Sequence, residues 1–173
     1  MPTRPATAAD IPHLLPMVAA LVEQHEAWDP ERYGALPDVL DRYARWLPQR
    51  AADPRSLLLV AEADAPPPAA ASPTPLAGFL VATVEPNIPI YRRAEFGFIH
   101  DLWVDPPHRR RGHATALLRH ALAAFAAMGV AQVRLETAAA NEPARRLFAS
   151  LGFRVGTIDM LRALTPDDRK DSH

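Results

Sequence analysis

The chain has 173 residues, 49% of them hydrophobic, and a formal net charge of −1. This length and composition predict one globular domain with its own core, and the near-neutral charge argues against bulk electrostatic attraction to nucleic acid or membranes. The chain contains no cysteine, which excludes disulfides, thiolate catalysis and cysteine-ligated zinc. Because neither a signal-peptide core nor an apolar run of about 18 residues is evident, we expect a cytoplasmic protein with no nucleic-acid or membrane partner.

Two helices are predicted in the N-terminal third of the chain. The first follows Thr7 and Asp10, which have the spacing of a capping box, and its apolar residues recur at i, i+3 and i+4 as far as Val22. The second is weaker and runs from about Pro37 to Gln49. The segment between them, HEAWDPERYGALP, is predicted to be a loop that lines a pocket, and its acidic and aromatic residues would suit a cationic amine.

The central part of the chain has the pattern of a sheet. Three apolar strands are predicted at Ser56–Ala63, Leu76–Glu85 and Glu95–Val104. Between the first two strands, residues 65–75 are rich in Pro and Ala, which predicts a flexible loop that does not join a core.

The C-terminal part alternates helices and strands. A helix with a continuous apolar stripe ends at Gly129, a strand follows at Ala131–Ala138, and Asn141 is placed to cap a short helix. A last strand is predicted over residues 153–164, and residues 165–173 are predicted to be a disordered tail. The element order predicts an α/β fold in one domain over residues 1–164, with helices on the faces of a mixed sheet.

The stretch DPPHRRRGHATALL, residues 105–118, is the most informative part of the sequence. It places three arginines where a strand turns into a helix, although a helix N-terminus normally disfavours cations. Backbone N–H groups at such a turn are free to bind an anion, Gly112 permits its close approach, and Arg109 can fork onto phosphate oxygens. The pattern is neither a Walker P-loop nor a dinucleotide fingerprint, because GxxxxGK and GxGxxG are both absent.

Together with the strand before it, this stretch resembles motif A of the GCN5-related N-acetyltransferase family, whose core is Arg/Gln-x-x-Gly-x-Gly/Ala. The later NEPARRLFASLGF, residues 141–153, resembles the family's Asn-x-x-Ala-x-x-Leu segment, and RPATAAD resembles family openings. The resemblance covers residues 3–164. It implies a mixed central sheet flanked by helices on both faces, with a splay between the two central parallel strands.

The resemblance also implies acetyl-CoA as cosubstrate, bound in that splay, and an amine-bearing acceptor. Backbone groups of the central strand would pair with the pantetheine and polarise the thioester carbonyl, while the Arg/Gly turn would hold the pyrophosphate and Asn141 would contact the pantetheine arm. The cofactor-binding residues implied are Leu102, Trp103, Val104, Arg109, Arg110, Arg111, Gly112, His113, Ala114, Thr115, Asn141, Arg145 and Phe148. Asn141 also has a purely structural interpretation, as a helix N-cap.

A general base must accept the proton of the amine, and the sequence offers three candidates on the central strand. His100 matches a position where some family members carry a catalytic His or Glu, and its ordinary pKa suits the task. His100 and Asp101 are adjacent, so a regular strand would point them to opposite faces unless a bulge intervenes, whereas Asp101 and Glu95 would share a face. A buried structural role is the alternative for His100.

One residue departs from the family pattern. Phe148 stands where the family often has a Tyr that protonates the leaving thiolate. A thiol with a pKa of about 8.5 leaves without an acid, and Tyr33, Tyr43 or Tyr91 could also substitute. The alternative function is a degenerate CoA-binding regulator of the same fold that does not turn over.

Other features of the sequence carry less information. Trp28, Trp46 and Trp103 are interpreted as core residues or as the lining of an acceptor pocket. The histidines from residue 108 to 120 have no accompanying carboxylate, so no metal site is expected, and the short basic patches give no nucleic-acid site. A homodimer is expected only because dimers are frequent in the family.

Overall fold

A computed structural model describes residues 1–63 and 75–164. The predicted loop at 65–75, apart from Pro75, and the predicted tail at 165–173 lie outside the described residues. The chain divides into two compact units. The first comprises Met1–Leu21 and Leu36–Glu136, and the second comprises Val22–Ala35 and the chain from Thr137 onward.

The first unit contains a five-stranded sheet whose spatial order follows the chain. Its strands are β1 (Thr3–Pro5), β2 (Ser56–Glu62), β3 (Leu76–Pro86), β4 (Glu95–Val104) and β5 (Val133–Leu135). The first four strands pair antiparallel, whereas β4 and β5 pair parallel. The predicted mixed sheet with a parallel pair is therefore confirmed.

The splay is visible in the register of this parallel pair. Residues 97–99 of β4 pair with residues 133–135 of β5, and the pairing ends there. β4 continues to Val104, so along its second half the edge opposite β3 has no strand beside it among the described residues.

The described residues form five α-helices. They are α1 (Ile11–Trp28), α2 (Pro30–Tyr33), α3 (Val39–Ala52), α4 (His113–Ala127) and α5 (Glu142–Ser150). Trp46 of α3 lies against His100 on one face of β4, and Phe125 of α4 lies against Gly97 on the other. This arrangement confirms the prediction of helices on both faces. No helix within the described ranges has the length and apolar character needed to span a membrane.

Four elements differ from the sequence-based prediction. The first helix continues past Val22, where its predicted apolar pattern ends, and reaches Trp28. The short α2 lies in the segment predicted as a loop, and Asp29 caps it by accepting from the backbone N–H of Arg32.

The third difference is at the C-terminus. No strand forms over residues 153–164 of the described chain, although their apolar pattern predicts one. Val155, Ile158 and Met160 are all exposed, so the pattern is not satisfied by burial within the described residues. Strand β1 was missed for the converse reason, because Arg4 and Pro5 give it no apolar alternation.

The start of α1 is tied to β1 by a charged cluster. The carboxylate of Asp10 accepts from the backbone N–H of Thr7 at 2.7 Å, which is the reciprocal bond of the predicted capping box. Arg4 donates to both oxygens of Asp10, at 2.8 and 2.9 Å, and also to Glu62 of β2. The Arg4 guanidinium holds the pKa of Asp10 well below its usual range.

The packing between β4 and α4 depends on a glycine, which has no side chain. Gly97 lies directly against the ring of Phe125, which is fully buried. A β-carbon at residue 97 would lie 2.8–2.9 Å from three ring atoms, closer than real contacts permit. The sheet and α4 therefore approach each other at a position where only glycine fits.

We expect Gly97→Ala to lower the free energy of unfolding by about 1–3 kcal/mol, because the buried ring cannot move aside without strain. Urea unfolding followed by circular dichroism measures this change. Gly156→Ala is the matched control, since nothing lies within 4 Å of its β-carbon position, and it should change stability by less than about 0.5 kcal/mol. Equal stability of the two variants would contradict the close approach.

Candidate acetyl-transfer site

The open edge of β4 presents backbone groups. The backbone N–H of Asp105, directly after β4, donates to Ala77 O at 2.9 Å, so the backbone groups of Asp105 face β3. Because alternate residues of an antiparallel pair face opposite edges, the backbone groups of Leu102 and Val104 face the open edge. Leu102 and Val104 are two of the predicted cofactor residues, whereas the backbone of Trp103, between them, faces β3.

Arg109 is held next to this edge. Its Nε donates to Val104 O at 2.9 Å, and its guanidinium lies 4.7 Å from the centre of the Trp103 ring. Trp103 in turn donates from its indole nitrogen to Asp105 at 2.7 Å. The guanidinium is therefore fixed by two contacts, which leaves its terminal nitrogens available to bind an anion.

The turn from Arg109 into α4 requires two left-handed residues. After a single 3₁₀ turn at Pro106–His108, Arg110 has φ 65° and Gly112 has φ 90°. The left-handed conformation of a non-glycine residue costs about 1–2 kcal/mol, and such strain is typical of ligand-binding turns. Space for a ligand also exists at Gly112, since nothing lies within 4 Å of where its β-carbon would be.

The first turn of α4 supplies further donors. The hydrogen bond from Ala116 N–H to Gly112 O starts the helical ladder, so the N–H groups of Ala114 and Thr115 have no acceptor within the helix. Arg110 and Arg111 are exposed beside them. This set of donors fits a pyrophosphate, the group that the family resemblance implies for the turn.

The remaining predicted cofactor residues belong to the second unit. Asn141 caps α5 by accepting from Ala144 N–H, so its structural interpretation is confirmed. Arg145 donates to Ala139 O at 3.3 Å, and Phe148 is buried against Phe153. Contact of these three residues with a cofactor stays a prediction.

A β-bulge in β4 decides which side chains share a face. Val81 of β3 pairs with Asp101, whereas the next residue, Ala82, pairs with Ile99. His100 is therefore an extra residue in β4, and a bulge reverses the alternation beyond it. As a result His100 and Asp101 both face α3, where Trp46 contacts one and Tyr43 the other.

The same bulge contradicts the expectation that Asp101 and Glu95 share a face. That expectation assumed a regular strand, and the reversal places Glu95 on the face opposite Asp101. Glu95 forms an ion pair with Arg55 instead. It lies five residues before the bulge, so the structure does not bring it together with the other two candidate bases.

Asp101 is a buried carboxyl group. Its relative exposure is 8%, and the Tyr43 hydroxyl donates to its two oxygens at 3.1 and 3.3 Å. Burial raises the pKa of Asp101 to about 6, although the hydrogen bond from Tyr43 opposes the shift. Burial and the neighbouring carboxylate also raise the pKa of Tyr43, which makes this tyrosine a poor substitute for the missing general acid.

His100 lies in a partly exposed aromatic setting. Its ring meets the edges of Trp46 and Phe98, with ring centres 5.7 and 4.9 Å away. Its Nε2 lies 2.6 Å from the Thr83 hydroxyl, which is itself 2.5 Å from Glu85 Oε1. Partial burial lowers the pKa of His100, Glu85 raises it, and the Arg50 guanidinium lowers it further.

Sequence reasoning did not identify Thr83, Glu85 or Arg50 as part of this site. The available signal was the alternation of β3, in which Thr83 and Glu85 are polar residues on one face of an apolar strand. Their placement opposite His100 depends on the pairing of β3 with β4, which the sequence does not display. No group of three metal-ligating side chains occurs within residues 1–63 and 75–164.

The chain shares sequence with acetyltransferases. A sequence model of the acetyltransferase (GNAT) family matches residues 20–153. The [ribosomal protein bS18]-alanine N-acetyltransferase of Escherichia coli is 38% identical over 74 residues, which are 43% of this chain and 50% of the relative. The matched region thus spans about half the length of that curated relative.

The fold also occurs in solved structures. A tetramutant of the BH1408 protein from Bacillus halodurans superposes with a TM-score of 0.79 at 20% identity, over 95% of this chain and all of that one. An aminoglycoside antibiotic 6'-N-acetyltransferase from Acinetobacter haemolyticus superposes with a TM-score of 0.67 at 20% identity, over 95% and 99% of the two chains. At these identities the likeness concerns the fold alone. The family match across most of the chain, together with this fold, shows that the protein belongs to the GCN5-related N-acetyltransferase (GNAT) family.

Proposed function

We propose that this protein is an acetyl-CoA-dependent N-acetyltransferase that acts on a primary amine of a small molecule or peptide by direct attack in a ternary complex. The observation that supports this most is the continuity of two anchoring features. The open edge of β4 ends at Val104, and Arg109 links that edge to the donor-rich start of α4. This arrangement suits an elongated ligand with an amide-containing arm at one end and a pyrophosphate at the other.

Acetyl-CoA supplies an acetyl thioester activated for attack by an amine. The backbone of Leu102 and Val104 would align the pantetheine and polarise the thioester carbonyl from the open edge. The amides of Ala114 and Thr115 and the Arg109 guanidinium would hold the pyrophosphate. With Phe148 in place of the family's frequent Tyr, the leaving thiolate takes its proton from solvent.

His100 is the base in this proposal. Asp101 is already engaged by Tyr43 and is more deeply buried, so an amine reaches it less readily. The His100 side chain is 28% exposed, and it directly follows Ile99, the last residue of β4 that pairs with β5. Its lowered pKa keeps the imidazole neutral at pH 7, as a proton acceptor requires.

The curated relative and the aminoglycoside acetyltransferase named above both act on amine-bearing acceptors. One is named for an alanine of a ribosomal protein and the other for an aminoglycoside. In this chain aromatic side chains and the carboxylates of Glu85 and Asp101 lie beside His100, which suits a cationic amine. Cytoplasmic location and a homodimer stay predictions.

Thioester consumption with an amine panel tests the function. We expect the purified chain to release CoA from acetyl-CoA only when an amine is added, from a panel of small polyamines, aminoglycosides, amino acids and peptides with free N-termini. Arg109→Ala should weaken CoA binding about tenfold in calorimetry, because a charge-assisted contact is lost. Arg93→Ala, on the exposed β3–β4 loop, is the control. Tight CoA binding without turnover of any amine would favour the regulator instead.

His100→Ala tests the base. We expect kcat to fall about 10²–10⁴-fold, the usual contribution of a positioned general base, while CoA affinity changes less than about twofold. Steady-state kinetics and calorimetry on the same preparation measure the two effects. Unchanged turnover across the pH range would remove His100 from the mechanism.

Asp101→Asn should stabilise the protein at alkaline pH. The carboxyl group has a pKa of about 6 when folded and 3.8 when unfolded, so the folded state binds the proton more tightly. Its contribution to stability is present below pH 4 and is lost as pH rises through 6, a loss of about 3 kcal/mol. Urea unfolding at pH 4.5 and pH 8 should show about 2 kcal/mol of this loss in the wild type and none in Asp101→Asn, because the unfolded chain is already largely ionised at this residue at pH 4.5. An identical pH dependence in both proteins would contradict the raised pKa.

A further inference from the structure

Three polar groups form a chain across the face of the sheet that meets α3. His100 Nε2 lies 2.6 Å from Thr83 Oγ1, and Thr83 Oγ1 lies 2.5 Å from Glu85 Oε1. Nε2 and Oε1 are 3.7 Å apart, so the hydroxyl links them. Thr83 is almost completely buried, whereas the side chain of Glu85 is 40% exposed.

The number of available protons fixes which group donates in each of these hydrogen bonds. The Glu85 carboxylate can only accept a hydrogen bond, and the Thr83 hydroxyl has a single proton to donate. That proton must therefore lie between Thr83 and Glu85, since otherwise two acceptor oxygens would face each other at 2.5 Å. The Thr83 oxygen is then left as an acceptor, and His100 must donate to it from Nε2–H.

The direction of these hydrogen bonds decides the tautomer of His100. A neutral imidazole carries one proton, and if it is on Nε2 the lone pair is on Nδ1. No described residue forms a hydrogen bond with Nδ1. The rings of Trp46 and Phe98 meet the imidazole at interplanar angles of 90° and 66°, which hinders its rotation about χ2.

We propose that Thr83 and Glu85 are positioning residues that hold His100 as its Nε2–H tautomer, which makes Nδ1 the atom that accepts the proton of the acceptor amine. This assignment rests on the proposed function for its catalytic part only. As the amine nitrogen bonds to the acetyl carbon, its proton passes to Nδ1, and the electron pair of the C–S bond leaves with the thiolate, which solvent protonates. The resulting imidazolium is stabilised through Thr83 by the Glu85 carboxylate.

Four ionisable groups lie near the imidazole, and two of them shift its pKa in addition to burial, which lowers it. Glu85 on β3 raises the pKa of His100, and Arg50 on α3 lowers it. The other two are Asp101 on β4 and Tyr43 on α3, which hydrogen-bond to each other. Replacing Glu85 with a neutral residue should therefore lower the pKa of His100 and move the acidic limb of the rate profile to lower pH.

Nitrogen-15 NMR of the imidazoles tests the tautomer without any substrate. In the full-length protein, the His100 signals, identified by their loss in His100→Ala, should show a protonated Nε2 and an unprotonated Nδ1 above the pKa of this residue. Thr83→Val keeps the shape of the side chain and removes the hydroxyl, so the two tautomers should become mixed. Thr83→Ser should restore the wild-type pattern.

A second His–Thr pair in the chain provides a matched control. Thr3 Oγ1 lies 2.9 Å from His120 Nδ1, on β1 and α4. Thr3→Val removes the same kind of bond and should leave the His100 signals unchanged.

In kinetics, Thr83→Val should lower kcat about tenfold with little change in the KM for acetyl-CoA, as expected for one lost hydrogen bond to a charged group. Thr83→Ser should recover most of this loss.

The outcomes separate the tautomer from the function. A neutral wild-type His100 with its proton on Nδ1 would overturn the proposal, and so would a tautomer and a kcat that Thr83→Val leaves unchanged. Glu85→Gln should shift the acidic limb to lower pH, and an unshifted limb would also overturn it. If the wild type acetylates no amine, the proposed function fails, while the spectrum still decides whether Thr83 and Glu85 hold the tautomer.

Discussion

The extra residue in β4 is the constraint on which the candidate site depends. Val81 pairs with Asp101 and Ala82 with Ile99, so no residue of β3 lies opposite His100 in the strand register. The alternation of side chains in β4 therefore reverses beyond His100. Before the bulge, Gly97 and Ile99 face α4, and Gly97 lets that helix pack closely through Phe125. At and after the bulge, adjacent polar side chains both face α3, which a regular strand does not allow.

Two distinct regions of β4 follow from this geometry. Residues 97–99 are paired on both sides, and Gly97 and Ile99 among them are buried, which gives the site a rigid base. The second half of β4 loses β5 as a neighbour, and its outer edge presents the backbone of Leu102 and Val104 beside the Arg109 turn. The ionisable groups of the bulge thus lie where the paired part of the strand ends and the open part begins. Cofactor anchoring and proton transfer can therefore share one strand.

Much of the fold could be predicted from the sequence because it is written in local patterns. β4 was predicted with the bounds it has, and the helix from His113 and the short helix after Asn141 were predicted within a few residues. The Arg/Gly turn was identified by its composition, since only glycine adopts the conformation at residue 112 without strain. The prediction of a last strand was wrong, because a strand must pair with another strand, and residues 153–164 pair with none among the described residues.

The sequence by itself determined the family, the order of the elements, a turn proposed to bind an anion and a short set of candidate bases. These depend on spacing within one segment, which a single chain displays directly. Only the tertiary structure decided which side chains surround each candidate base. It separated Glu95 from Asp101, paired Asp101 with Tyr43, and gave His100 a hydroxyl and a carboxylate from β3. Each of these depends on the register of one strand against another, and a shift of a single residue exchanges the two faces.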